Sequence, residues 1–313
     1  MFLLERGLVA SGERSIVIAA ERSQASGELI ETPVVSGEIT EQLREEAQGA
    51  HHRSIQLALE RYPIDLIHFH GLDFSTYLPT TRVPKLATLH LPLDWYPQSI
   101  FHLEDVQLNC VSQSQASSAP AQRKLPVVGN GIDVEQYGGP EGTRDFLLWM
   151  GRICPEKAPH VALEIAHRLD LPMIVAGPIH PFRYHQSYFA QQVQPLLDEK
   201  RRYAGSVGLE KKIDLLRNAK CVLIPSLAPE TSSLVAMEAM SSATPVIAFR
   251  SGALPEIIDD GKTGFVVDSE EEMLRAISRV DDISPQVCRS IARARFDVHR
   301  MVKEYRELYS FRM

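Results

Sequence analysis

Leu223-Ile-Pro-Ser-Leu-Ala-Pro-Glu230-Thr-Ser-Ser-Leu-Val-Ala-Met-Glu238-Ala-Met-Ser-Ser-Ala-Thr-Pro-Val-Ile-Ala248 is the stretch on which the fold is decided. Its first three residues continue an apolar run from Cys221 that ends in proline, as a buried strand does. A short loop with Glu230 follows, and Ser232 or Ser233 then caps a helix over about Ser232–Ser241. Thr244-Pro245 stops that helix, and Val246-Ile-Ala248 opens the next strand. Strand, loop, capped helix, strand is the βαβ unit of a parallel sheet. The helix start presents first-turn N–H groups without helical partners, a natural seat for phosphate. Taken alone, Glu230 reads as a helix N-terminal charge and Glu238 as a solvated helix residue.

The same alternation runs outward in both directions. Upstream, strands are expected at Ser15–Ala20, Ile64–Phe69, Lys85–His90, Gln107–Ser112 and Pro126–Val128, with a polar helix over Glu41–Arg61. A second series places strands at Phe146–Met150, Pro172–Ala176, Cys221–Pro225, Pro245–Ala248 and Phe265–Val267. Its helices fit Lys157–Leu169, Phe182–Lys200, Glu210–Asn218, Ser232–Ser241, Glu270–Val280 and Ser284–Arg293, and a final one fits about His299–Leu308. Between the series lies Gly129-Asn130-Gly131-Ile132-Asp133, then Gly138-Gly139-Pro140-Glu141-Gly142-Thr143, which is the turn chemistry of a boundary. The expectation is an α/β protein of two Rossmann-like doubly wound domains, residues 1–140 and 141–313. The last helix, about 299–308, is a candidate to pack back on the first of them. A length of 313 residues suits two domains of about 150 each.

Composition narrows the classes. Apolar residues at 44%, charged residues at 23%, 18 Gly and 20 Pro exclude collagen-like and disordered chains. Apolar runs such as Phe146 to Met150 fall far short of the ~18 residues of a membrane span. Nothing after Met1 reads as a secretory signal, so a cytoplasmic protein is expected, with peripheral contact the most that a membrane would receive. Cys110, Cys154, Cys221 and Cys288 are too scattered for a zinc knuckle or a disulfide framework. The first 143 residues carry 10 basic against 18 acidic side chains, and the rest 23 against 22. No part has the basic excess of a nucleic-acid surface, and an anionic small molecule prefers the second half.

A second polar cluster joins the glutamates. Leu147-Leu-Trp-Met-Gly151-Arg152-Ile-Cys-Pro155-Glu156-Lys157 is a strand end, a glycine turn and a helix start bearing two cations. At the carboxyl edge of a parallel sheet, Arg152 and Lys157 suit a diphosphate, although surface salt bridging explains them as well. His68 and His70 share a strand face, but no acidic or Cys ligand follows at useful spacing, so no metal is expected. Gly261-Lys262-Thr263 lacks the earlier glycine of a phosphate loop, since Glu256 stands there. Asp259-Asp260 and Asp281-Asp282 read as solvated turn acids. The absence of any G-x-G-x-x-G after a strand disfavours a nicotinamide-dependent dehydrogenase.

Together these segments resemble the retaining GT-B glycosyltransferases of glycosyltransferase family 4. The resemblance rests on Asp65-Leu-Ile-His-Phe-His70-Gly71, Ala87-Thr-Leu-His90, Val128-Gly-Asn130-Gly131-Ile132-Asp133, Gly151-Arg152 with Pro155-Glu156-Lys157, and Val175-Ala-Gly177-Pro178. It rests also on Glu230-x7-Glu238, on Thr244-Pro-Val-Ile-Ala and on Ser251-Gly252-Ala-Leu-Pro-Glu256 through Gly264. It implies two domains facing a cleft and transfer of a sugar from a nucleotide-diphosphate sugar with retention of configuration. The acceptor is a saccharide, a lipid or a small molecule, and neither a metal nor a cofactor takes part. Arg152 and Lys157, beside Gly151, would bind the diphosphate, and the amides of Ser232, Ser233 and Leu234 would hold phosphate. Glu230 would lie against the donor sugar, Glu238 would take the ribose, and His90 would face the sugar from the first domain. Thr231-Ser232-Ser233 departs from the Pro-Phe-Gly often found after the first glutamate. The chain also opens on what reads as a helix end, Phe2-Leu3-Leu4-Glu5-Arg6-Gly7. The expectation is that the family's first strand and glycine-rich loop, about 30–40 residues, are missing. The alternative is a non-catalytic protein of this fold that binds a nucleotide sugar or partners another transferase.

Overall fold

A computed structural model of the chain describes residues 1–34, 40–139 and 142–310. Its contacts divide it into two compact units, Met1–Gly131 with Val298–Met313, and Ile132–Asp297. Pro140 and Glu141, where the sequence suggests the boundary, lie outside the described residues.

The first unit runs α1 (Phe2–Ala10), β1 (Ile16–Ala20), β2 (Glu28–Thr32), α2 (Glu41–Arg61), β3 (Ile67–Phe69), β4 (Lys85–Leu89), β5 (Val106–Cys110) and α3 (Gln113–Ser117). All its strands pair in parallel, as β1-β2 and as β3-β4-β5, and the two sheets share no ladder among the described residues. Thr40 caps α2 by accepting from the Leu43 amide at 3.2 Å, with Glu41 in the first turn and Arg61 in the last. The strand expected at Pro126–Val128 is a single bridge, Cys110 to Val127. The C-terminal helix Val298–Ser310 buries Val298, Met301, Val302 and Tyr305 against Leu4, Leu86 and Val128 of this unit. Arg300 ties it to the Gly129-Asn130 turn, donating to both carbonyl oxygens at 3.0 and 2.8 Å.

The second unit holds β6 (Phe146–Met150), α4 (Pro159–Arg168), β7 (Met173–Ala176), α5 (Arg183–Tyr188), β8 (Arg201–Gly205), α6 (Leu209–Asn218) and β9 (Ala219–Ile224). It continues through α7 (Leu234–Ser241), β10 (Val246–Phe249), α8 (Leu254–Ile257), β11 (Gly264–Val267), α9 (Glu270–Ser278) and α10 (Pro285–Phe296), which makes the C-terminal helix α11. Six parallel strands stand in the order β11-β10-β9-β6-β7-β8. Helices cover both faces, so the central strands read as continuous apolar runs, with Leu147, Leu148, Val222, Leu223 and Ile247 fully buried. The order reverses between β6 and β9, and in open parallel sheets ligands bind outside the carboxyl ends of the strands at that reversal.

One expected helix is corrected. Phe182–Lys200 is α5, a π-helical turn over Phe189–Val193 and a 3-10 turn over Gln194–Leu196, and then the chain turns into β8. Pro195 has no N–H to continue a helix. β8 is an edge strand whose Arg201 pairs with Asp170 and Asp198, so its charged sequence disguised it.

Candidate functional site

Two loops at the reversal point carry most of the expected residues. After β6, the Gly151 amide donates to Ala176 O at 3.0 Å, and Pro155–Lys157 forms a single 3-10 turn. Ala158 then takes a left-handed conformation (φ 47°), which separates that turn from α4. After β9, Ser226 to Ser233 lead into α7, and Ser233 caps it, its Oγ accepting from the Ala236 amide at 3.4 Å. The two loops are tied directly, the Leu227 amide donating to Glu156 O at 2.8 Å.

Lys157 Nζ lies 2.5 Å from both carboxylate oxygens of Glu230. Ser226 Oγ donates to Oε1 of the same carboxylate at 2.5 Å. Glu230 is nearly buried, with 7% of its side chain exposed against 34% for Lys157. Its backbone is held as firmly: Glu230 O accepts from the Ala253 amide at 2.7 Å. Gly252 (φ +54°) packs so closely there that a Cβ would stand 2.2 Å from Glu230 O. That close approach explains the glycine of Ser251-Gly252-Ala253. Trp149, Gly151, Lys157, Ser226, Glu230, Ser232, Ser233 and Leu234 line a cavity of about 120 Å³. Ser232 Oγ is buried and finds no partner among the described residues, so the cavity wall holds a hydroxyl with unspent hydrogen-bonding capacity.

The structure thus gathers Gly151, Lys157, Glu230, Ser232, Ser233 and Leu234 in one place. Arg152 stands beside them as an exposed side chain outside the cavity lining. Glu238 is apart, one turn into α7, where Oε1 accepts from Tyr137 Oη at 2.7 Å and from Lys212 Nζ at 2.6 Å. Each glutamate of the pair therefore has its own lysine. Sequence reasoning missed Ser226, Tyr137 and Lys212, and only Ser226, four residues before Glu230, lay close enough in the chain to be noticed.

His90 belongs to the first unit. Its Nε2 lies 2.9 Å from His70 Nδ1, and its backbone amide donates to Tyr96 Oη at 3.0 Å. His68 bridges Tyr309 Oη at 2.9 Å and Thr88 Oγ1 at 2.7 Å. Burial lowers all three imidazoles, His68 to about 3 and His90 to about 4, so the cluster is neutral near pH 7. Among the described residues no three metal-ligating side chains converge, and no helix is long and apolar enough to cross a membrane. The four cysteines are buried and unpaired.

Two α/β units built on parallel strands, the second doubly wound with its polar side chains gathered at the sheet reversal, have the GT-B fold of their structural neighbours. The chain belongs to the family of Glycosyl transferases group 1, which matches residues 134–294. It is 32% identical over 175 residues to a D-inositol 3-phosphate glycosyltransferase of Corynebacterium efficiens, covering 49% of this chain and 41% of that one. A Streptomyces scabiei protein of the same description is 30% identical over 172 residues, covering 47% and 38%. The match thus takes in about two fifths of these curated relatives. Among solved structures, sucrose-phosphate synthase of Thermosynechococcus elongatus is similar with a TM-score of 0.81 at 16% identity, over 98% of this chain and 91% of that one. The Anabaena HepE protein in complex with UDP and glucose is similar with a TM-score of 0.75 at 18% identity, over 98% and 95%.

Proposed function

We propose that the chain transfers a sugar from a nucleotide-diphosphate sugar to an acceptor, with retention of anomeric configuration and without a metal ion. The observation that carries this reading is the Lys157–Glu230–Ser226 constellation at the sheet reversal, inside the segment matched by the family. It sits beside a capped helix start whose first-turn amides suit phosphate. Glycosyl transfer expels a nucleoside diphosphate, so the developing charge is on the leaving phosphate. Arg152, the ammonium of Lys157 and the N–H groups of Ser232, Ser233 and Leu234 would stabilise it. Lys157 is engaged by Glu230, so a diphosphate competes with that carboxylate for the ammonium. As Lys157 turns to the diphosphate, Glu230 is left to accept from a hydroxyl of the donor sugar, with Ser226 fixing its plane. Glu238 would take the ribose, and His90 would be a further catalytic residue. The acceptor would be a saccharide, a lipid or a small molecule. That relatives named for inositol phosphate share the matched segment, and that a fold neighbour holds UDP and glucose, supports the nucleotide-sugar class of donor.

The test is proton NMR of the product formed from an α-linked donor, with and without a chelator. The proposal expects an α-linked product and a rate that the chelator leaves unchanged. A β-linked product refutes retention, and a chelator-abolished rate refutes metal independence. Binding of the donor without turnover points to the non-catalytic alternative.

A further inference from the structure

The two oxygens of Glu238 are treated unequally. The residue is 6% exposed, and Oε1 accepts from Tyr137 Oη at 2.7 Å and Lys212 Nζ at 2.6 Å. Oε2 is buried and has no hydrogen-bond partner among the described residues. A buried acceptor without a donor is unfavourable, and a ligand hydroxyl reaching it relieves that cost. The two donors on Oε1 differ in freedom. Tyr137 is 5% exposed and packed into the core of its unit, so its hydroxyl is fixed in place. Burial, and then the Glu238 charge, raise its pKa, so it stays a donor throughout the neutral range. Lys212 ends a flexible stem with 27% of its side chain exposed, and its withdrawal is the low-cost way to admit a ligand to the carboxylate.

Resting on the assignment of Glu238 to the ribose, we propose that Tyr137 is a positioning residue of the nucleoside subsite, holding Oε1 so that Oε2 is left to accept from a ribose hydroxyl. Tyr137 lies 101 residues from Glu238 in sequence, and the fold alone brings them together. Its contribution is to orient the carboxylate, so it acts on a ligand that carries the hydroxyls and is silent towards one that lacks them.

Tyr137→Phe removes the hydroxyl and keeps the ring that fills the core. Calorimetry with UDP, GDP and ADP selects the tightest nucleoside diphosphate, which is then compared with its 2′,3′-dideoxy analogue on wild type, Tyr137→Phe and Glu238→Gln. In wild type, loss of the hydroxyls is expected to weaken binding about tenfold or more. In Tyr137→Phe the same loss is expected to cost less than about threefold, and in turnover the KM for donor rises while kcat stays within about twofold. A Tyr137→Phe protein with the full wild-type ratio overturns the proposal, and so does one that melts lower and binds both ligands equally more weakly, because that is a structural effect. If Glu238→Gln also keeps the full ratio, the ribose assignment itself fails. If Glu238→Gln loses the ratio and Tyr137→Phe keeps it, only the role given to Tyr137 fails.

Discussion

Replacing Lys157 by methionine strands the Glu230 carboxylate in a nearly dry wall with one hydroxyl donor, Ser226. Breaking a fully buried ion pair from one side costs about 3–5 kcal/mol. Lys157 is a third exposed, and solvent screening at its ammonium brings the expected loss to about 1.5–3 kcal/mol. For a unit of this size each kcal/mol moves the melting midpoint by about 2–4 °C, so a fall of roughly 3–12 °C is expected. Glu230→Gln is the milder change, since the ammonium it releases turns to water and the amide still accepts from Ser226. The double variant Lys157→Met/Glu230→Gln is therefore expected to melt well above Lys157→Met alone, with a coupling of about 1–2 kcal/mol. The assay is urea and thermal unfolding of wild type, both single variants and the double. Calorimetry adds a second reading: Glu230→Gln binds a nucleoside diphosphate at least as tightly as wild type, because Lys157 is no longer shared. Single-variant losses that add to within about 0.5 kcal/mol refute the coupling. A Glu230→Gln protein that binds diphosphate tenfold more weakly refutes the competition for Lys157.

Gly252→Ala forces a Cβ against the Glu230 backbone at a positive φ, so kcat is expected to fall at least about tenfold while nucleoside diphosphate affinity changes little; steady-state kinetics alongside calorimetry checks it. Ser233→Ala removes the cap of α7 and is expected to cost about 1 kcal/mol in urea unfolding, with weaker diphosphate binding as the first turn loosens. Below about pH 6.5 the unfolded chain protonates His68, His70 and His90, while the folded first unit resists down to about pH 4 for His90 and about 3 for His68. With all three imidazoles neutral in the folded unit, unfolding stability is therefore expected to drop as pH falls from 7.5 to 5.5, by roughly 2 kcal/mol per pH unit on average. His70→Asn should flatten that slope, and an unchanged urea midpoint across the range contradicts the neutral cluster.

Elements whose local chemistry agrees with their surroundings were legible in the sequence. Thr40, Glu41 and Arg61 mark both ends of α2, and the apolar runs of β6, β9 and β10 announce strands buried on both faces. β2 and β8 carry no such signal because they are edge strands, with Glu28, Glu31, Arg201 and Arg202 in place of apolar residues. The site divides in the same way. Glu230, Ser233 and Lys157 are visible because strand end, loop and cap are local signals. That Lys157 pairs with Glu230, Lys212 with Glu238 and Tyr137 with Glu238 follows from contacts 73, 26 and 101 residues apart, which carry no local signature. The polar network of His68, Thr88, Asn109 and Tyr305 likewise depends on α11 returning to the first unit.

The most direct test is release of nucleoside diphosphate from a panel of UDP-, GDP- and ADP-sugars by wild type, Arg152→Ala and Glu230→Ala. Wild type is expected to turn over sugars on one of these bases, Arg152→Ala to raise KM and lower kcat/KM about tenfold or more, and Glu230→Ala to lose about a hundredfold or more in kcat. Equal rates for all three proteins would contradict the assignment of the donor site.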